Sequence, residues 1–290
     1  MTLQQRAIVV DGGAALPEDV EHGVVVVPQH ITIGATEFVD DGSTDSYEGF
    51  YRLLRAGGAT ATATPSPGAY LEAFRRTDAD TVLCLTIPER WSGMHSTASL
   101  AADMLAAEEG RRRVTVLDTG TAVGGIALIA RCAASLLASS DGAPGWEESV
   151  RSACERVRVY GALATLTYVA RSGRVPALLA GISNTLRVRP VFKLVDGGDT
   201  GRVGLARTAP GTIRHLERAA RDDLGSGPLW VVVFHADAPD DAAELADHLS
   251  ASLDAVRCET LALSPMFGAH TGPGTIGFAA LPWPGGAPPD

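Results

Sequence analysis

Short runs of β-branched and other apolar residues alternate with stretches of helical periodicity along most of the chain. Ala7–Asp11 and Gly23–Val27 are predicted strands and Tyr47–Ala56 a helix. Ser66-Pro67 supplies a cap and a first-turn proline for a helix running to about Arg76. Thr81–Ile87 follows as a strand, Ser96–Glu109 as a helix, Val114–Asp118 as a strand and Ala122–Ala138 as an alanine-rich helix. Such alternation is that of a parallel sheet covered by helices.

Ser139 to Gly145 reads as a linker, and Trp146–Val159 as a helix. A second series then starts at Gly161–Leu166. Arg187–Asp196 and Arg202–Arg207 flank Gly-Gly-Asp-Thr-Gly and are predicted to form a hairpin. Beyond it come a helix (Thr212–Asp223), a strand (Leu229–His235), a helix (Pro239–Leu253), and strands near Ala255–Leu263 and Thr275–Leu281. The tail Pro282–Asp290 is rich in proline and glycine. The expectation is an α/β protein of two α/β domains. The first, 1–159, has a three-layer arrangement around a parallel sheet, and the second, 160–290, a mixed sheet.

Composition narrows the chemistry. The 290 residues carry a formal net charge of −10, which disfavours nucleic acid as a partner. Lys193 is the single lysine, and no G-K-[ST] surrounds it, so a P-loop is excluded and Schiff-base chemistry has one poor candidate. Cys84, Cys132, Cys154 and Cys258 are scattered in apolar or helical stretches, as buried thiols of a reducing compartment would be. No metal spacing joins the histidines. The start of the chain has no signal-peptide core, and the weakly charged stretch 260–289 is broken by Pro265, Pro273 and Pro282. A cytoplasmic protein without a membrane span is expected.

Several segments could carry a site. Asp11-Gly12-Gly13 ends the first strand, where a ligand-facing loop is expected in a parallel sheet. Asp118 to Gly125 leads from a strand into a helix, but its glycine spacing misses the dinucleotide fingerprint. Thr60 to Pro67 places hydroxyls ahead of a helix N-terminus, a place suited to an anion. Trp91-Ser92-Gly93-Met94-His95 stands where a nucleophile elbow would, yet Arg90 and Met94 occupy the positions of its glycines. Gly173-Arg174 follows an apolar strand and a polar turn, and His270 lies in a Thr-Gly-Pro-Gly loop open to close approach by a ligand.

In their order these segments resemble the DegV family of bacterial fatty acid-binding proteins, which includes the lipid-binding subunit of fatty acid kinase. The resemblance rests on Asp11, Thr62-Ala63-Thr64-Pro65-Ser66, Trp91-Ser92-Gly93-Met94, Asp118-Thr119, Ser172-Gly173-Arg174 and His270 to Gly274. Val24–Pro28, an Ile-x-Ile-Gly strand and Asp40 add to it, and it covers about residues 7 to 281. It implies two domains with a ligand tunnel near their junction, holding one long-chain fatty acid such as palmitate, stearate or oleate. The carboxylate would be bound by Thr62, Ser92, Gly93, Arg174 and His270, and Arg207 would contact a partner. It implies no cofactor and no catalysis by the chain itself. The partners would be an ATP-binding kinase subunit that phosphorylates the carboxylate, then a phosphate acyltransferase, with membrane contact at most transient. Departures are Gly12 for the family's serine, Ala63 and Thr64 for Ser-Gln, Trp91 for leucine and Met94 for threonine. The competing expectation is a serine-dependent lipid hydrolase or acyl-transfer enzyme using Ser92 and His270, with Asp11 or Asp118.

Overall fold

The computed structural model describes residues 6–14, 16, 24–110, 112–139, 145–173 and 188–283. Strand β1 (Arg6–Asp11) is followed by β2 (Val24–Val27), β3 (Gln29–Ile33) and β4 (Thr36–Asp40). Helix α1 (Tyr47–Arg55), β5 (Thr60–Thr62), α2 (Pro67–Arg76), β6 (Thr81–Thr86), α3 (Met94–Glu109), β7 (Arg113–Asp118) and α4 (Gly124–Ser139) complete the first half. The second holds α5 (Trp146–Arg156), β8 (Arg158–Ala162), α6 (Thr167–Ser172), β9 (Arg189–Val195), β10 (Asp199–Ala206) and α7 (Ala209–Leu224). It ends with β11 (Leu229–His235), α8 (Pro239–Ser252), β12 (Ala255–Ala262), α9 (Pro265–Thr271) and β13 (Ile276–Pro282).

Three sheets result. The first, ordered β2-β1-β6-β7, is parallel throughout. All six residues of β6 are buried, the near-continuous apolar run that a strand covered on both faces requires. The second sheet, β10-β9-β8-β13-β11-β12, is mixed: β11 and β12 run parallel and the other neighbours antiparallel. Both sheets agree with the architecture read from the sequence. The third, β4-β3-β5, is a small antiparallel sheet that the hydrophobic pattern did not separate from the first. Its central strand alternates buried and exposed residues, as expected when one face is covered.

Helix α4 joins the two larger sheets. It packs on β1 and β6 on one side and on β11 and β13 on the other, and Ile126 to Ala130 are wholly buried. A Cβ on Gly124 would lie 2.3 Å from the Phe234 ring, and one on Gly125 2.0 Å from Thr121 Oγ1. The glycines of the Asp118–Gly125 run therefore allow close helix packing. One apolar core runs from Ile8 and Val9 through α4 to Phe234 and Leu281, and a second lies beneath α7 and α8 on the far face of the mixed sheet.

Several boundaries differ from the sequence reading. The helix expected over Trp146–Val159 stops at Arg156, because Val157 turns extended and its neighbours pair into β8. Gly173 follows the helix α6, where a strand and a turn were expected. The linker expected from Ser139 to Gly145 and the tail beyond Trp283 lie largely outside the described residues. Among the described residues, no helix is long and apolar enough to cross a membrane.

Candidate functional site

Segments far apart in sequence line one partly open cavity of about 800 Å³, solvent space at its mouth included. Ile87, Trp91, Met94, Val123, Leu163, Val169, Phe192, Met266 and Phe267 supply its apolar wall. The third sheet gives Gln29 and Thr62, the loop after β5 gives Thr64, and the second sheet gives Phe192 and Thr200. The hairpin of β9 and β10 reaches across to the first sheet. A Cβ on Gly198, at its tip, would stand 2.5 Å from Pro88, and Arg90 pairs with Asp199 beside it.

Polar groups gather along one part of this wall. Thr62 Oγ1 lies 3.2 Å from His270 Nε2, and Thr64 Oγ1 lies 3.5 Å from Ser92 Oγ. Register explains Thr62: it pairs with Ile31 on β3, so the covered face of the small sheet delivers its hydroxyl. Ser92 sits in the turn before α3. Gly93 caps that 16-residue helix without a side-chain hydrogen bond, so no side chain occupies the first-turn N–H groups. Of the residues expected to meet at a head group, Thr62, Ser92 and His270 line the cavity together, and Gly93 borders Ser92. Arg174 lies outside the described residues. Arg207 is exposed in the turn between β10 and α7, away from the cavity wall.

His270 differs from its expected setting. It occupies the last turn of α9, and the glycines after it serve packing and not ligand approach. Gly272 has φ +81°, and a Cβ there would fall 2.1 Å from the Tyr168 ring; one on Gly274 would fall 2.8 Å from Ala164. Gly272→Ala is therefore expected to cost about 3 kcal/mol, from overpacking added to a left-handed backbone. Urea denaturation checks this; an unchanged midpoint would remove the packing explanation.

Two buried carboxyls support the wall from behind. Ile87 N–H donates to Asp11 Oδ2 at 3.1 Å, and Met266 N–H donates to Asp40 Oδ2 at 3.1 Å. Burial pushes both groups up to about 7. Asp11, expected to face a ligand, is instead fully buried and does not line the cavity. Gly12 is fixed by crowding, since its Cβ would approach the Asp40 carbonyl oxygen to 2.4 Å.

A catalytic serine finds no support in these contacts. Ser92 Oγ meets Thr64, whereas His270 meets Thr62. Asp118 accepts from the N–H groups of Glu89 (3.1 Å) and Gly120 (2.8 Å), and Asp11 from Ile87. Among the described residues no three His, Cys, Asp or Glu side chains form a metal cluster.

Sequence reasoning missed Gln29, Val123, Leu163, Phe192, Met266 and Phe267, all lining residues. Gln29 alone left a trace: in Gln29-x-Ile31-x-Ile33 it stands on the inward face of an alternating strand.

The fold and its site define a class of α/β protein in which a parallel and a mixed sheet share one mostly apolar cavity. The model of the DegV family, described as an uncharacterised protein family, matches residues 5–282. A DegV domain-containing protein of Streptomyces coelicolor is 30% identical over 93% of this chain and 96% of its own. Among solved structures, a DegV family protein from Thermus thermophilus described by its fatty acid binding is 27% identical. Its TM-score is 0.84, over 96% of this chain and 100% of that one. The B3 protein of Streptococcus pneumoniae fatty acid kinase, loaded with linoleic acid, shares the fold at 21% identity and TM-score 0.84, over 96% and 99% of the two chains. The chain belongs to the DegV family.

Proposed function

We propose that this protein is a non-enzymatic carrier that holds one long-chain fatty acid in the cavity, its carboxylate at the Thr62, Ser92 and His270 cluster. The observation that carries this reading is the union of a concave, mostly apolar wall with hydroxyls and an imidazole gathered on one part of it. Each buried methylene contributes about 0.8 kcal/mol, so the acyl chain dominates affinity. A carboxylate buried without partners would cost several kcal/mol, so hydrogen-bond donors must converge on it. Thr62 and Ser92 hydroxyls, the uncapped α3 N-terminus at Gly93 and the His270 imidazole are such donors. Arg174 supplies a cation in this reading. The fatty acid binding of the Thermus thermophilus relative supports the ligand class.

The two domains, 1–159 and 160–290, share the cavity in this proposal, and the protein works in the cytoplasm. The carrier presents the carboxylate to an ATP-binding kinase, Arg207 contacting that partner, and the acyl-phosphate passes to a phosphate acyltransferase. The kinase association of the Streptococcus pneumoniae neighbour motivates this step. Titration with palmitate, stearate and oleate is expected to reach one acid per chain, while a serine-reactive fluorophosphonate leaves Ser92 unlabelled. Stoichiometric labelling of Ser92 would favour the hydrolase or acyl-transfer reading instead.

A further inference from the structure

Gln29 is a buried amide that the protein does not match. It lines the cavity and is only 1% exposed. Its Nε2 donates to Met94 Sδ at 3.4 Å, and its Oε1 accepts no hydrogen bond. Thioether sulfur is a weak acceptor, so nearly all of the amide's bonding capacity is unused. Most other polar groups of the wall are better supplied. Thr62 has His270 and Thr64 has Ser92, while Ser172 and Thr271 donate to the carbonyls of Val169 and Phe267. Asp40 stands opposite Gln29 across β3 and β4, but its Oδ2 accepts from Met266 and no hydrogen bond joins the two side chains.

A plain hydrocarbon chain beside Gln29 leaves the amide buried and unpaired, as it already is in the free protein, and so gains nothing there. A hydroxyl on the chain is both donor and acceptor, so it satisfies the amide whichever way the group is turned. Sites that offer a buried hydrogen-bonding group reject analogues lacking the complementary hydroxyl. The location of Gln29 fixes where such a hydroxyl must be. Gln29 is one same-face step along β3 from Ile31, the partner of Thr62, and a step of that kind spans about 7 Å. On its other side it touches Met94, two residues from Ser92. The amide thus neighbours the polar cluster and not a remote end of the cavity.

We propose that the ligand carries a hydroxyl near its carboxyl end, as a β-hydroxy fatty acid does, and that Gln29 selects it by hydrogen bonding. This inference rests on the fatty acid reading above and narrows its substrate class. The test is competitive binding of palmitate, β-hydroxypalmitate and ω-hydroxypalmitate to the parent protein and to Gln29→Leu, with thermal unfolding to verify that both are folded.

The parent is expected to bind β-hydroxypalmitate about ten-fold more tightly than palmitate, the difference one satisfied buried acceptor makes. The ω-hydroxy acid should gain nothing. Gln29→Leu should bind palmitate about as tightly as the parent does and lose the preference. Equal affinities in the parent, as an internal water on the amide would give, would overturn the proposal, as would a variant that weakens every acid alike. Failure of the parent to bind any of the three acids would reject the fatty acid reading itself.

Discussion

Thr62→Val combined with Ser92→Ala is expected to weaken fatty acid binding by about a thousand-fold. Hydrogen bonds to a charged group contribute roughly 1.5–3 kcal/mol each, and every 1.4 kcal/mol is ten-fold in affinity. Both residues line the cavity, and neither is fully buried, so the fold should tolerate the change. Thr62→Val keeps the shape and removes the hydroxyl that faces His270. The control is the methyl ester of the same acid, which keeps the chain and lacks the anion. Its affinity should change little between parent and double variant. Equal losses for acid and ester would mean that the carboxylate is bound elsewhere.

Stability is expected to fall as pH rises from about 5 to 8, and Asp11 and Asp40 are the source of much of that slope. Burial pushes each carboxyl from 3.8 to about 7. Between those values the folded protein holds protons that the unfolded chain has released, so raising the pH favours unfolding. The loss begins near pH 4 and levels off once the folded groups have ionised, above about pH 8. A displacement of some three pKa units corresponds to about 4 kcal/mol for each carboxyl. Asp11→Asn mimics the protonated acid and keeps an acceptor for Ile87 N–H, so it should flatten the profile and stabilise the protein at pH 8. Urea denaturation of parent and variant at several pH values checks this. Parallel profiles would show that Asp11 is already ionised in the folded protein at neutral pH.

The main layers were legible because local pattern and tertiary burial agree. β6 is apolar between its two terminal threonines and β11 at all but its last position, and Ser66-Pro67 marks the start of α2, where Ser66 Oγ accepts from Ala69 N–H at 3.2 Å. The small sheet was not separable from the pattern. β5 has three residues and depends on pairing with β3 across some thirty positions of chain, a long-range contact with no local signature. Helices α6 and α9 are six and seven residues long, and the turn-forming residues around them favour a loop reading. Tertiary packing holds them: Tyr51 covers Gly268, Tyr168 covers Gly272, and the Tyr51 hydroxyl donates to the Leu263 carbonyl at 2.8 Å.

The site divides in the same way. Thr62, Ser92 and His270 were legible from the order of short polar segments, which the family resemblance ties together. Phe192, Met266 and Phe267 were not, since an apolar residue at a cavity wall looks like any other core residue in sequence. Asp11 was misplaced because an acid at a strand end suggests a ligand, whereas here burial and two neighbouring glycines turn it inward against Ile87. Trp91 and Met94, the residues that depart from the family pattern, both line the cavity and set its shape.

Native mass spectrometry of the protein as purified, followed by organic extraction, tests the carrier reading most directly. The expected spectrum shows one added mass per chain, identified after extraction as a long-chain fatty acid, and lost on Thr62→Val/Ser92→Ala substitution. A chain that carries no lipid and takes up none when long-chain acids are supplied would contradict it.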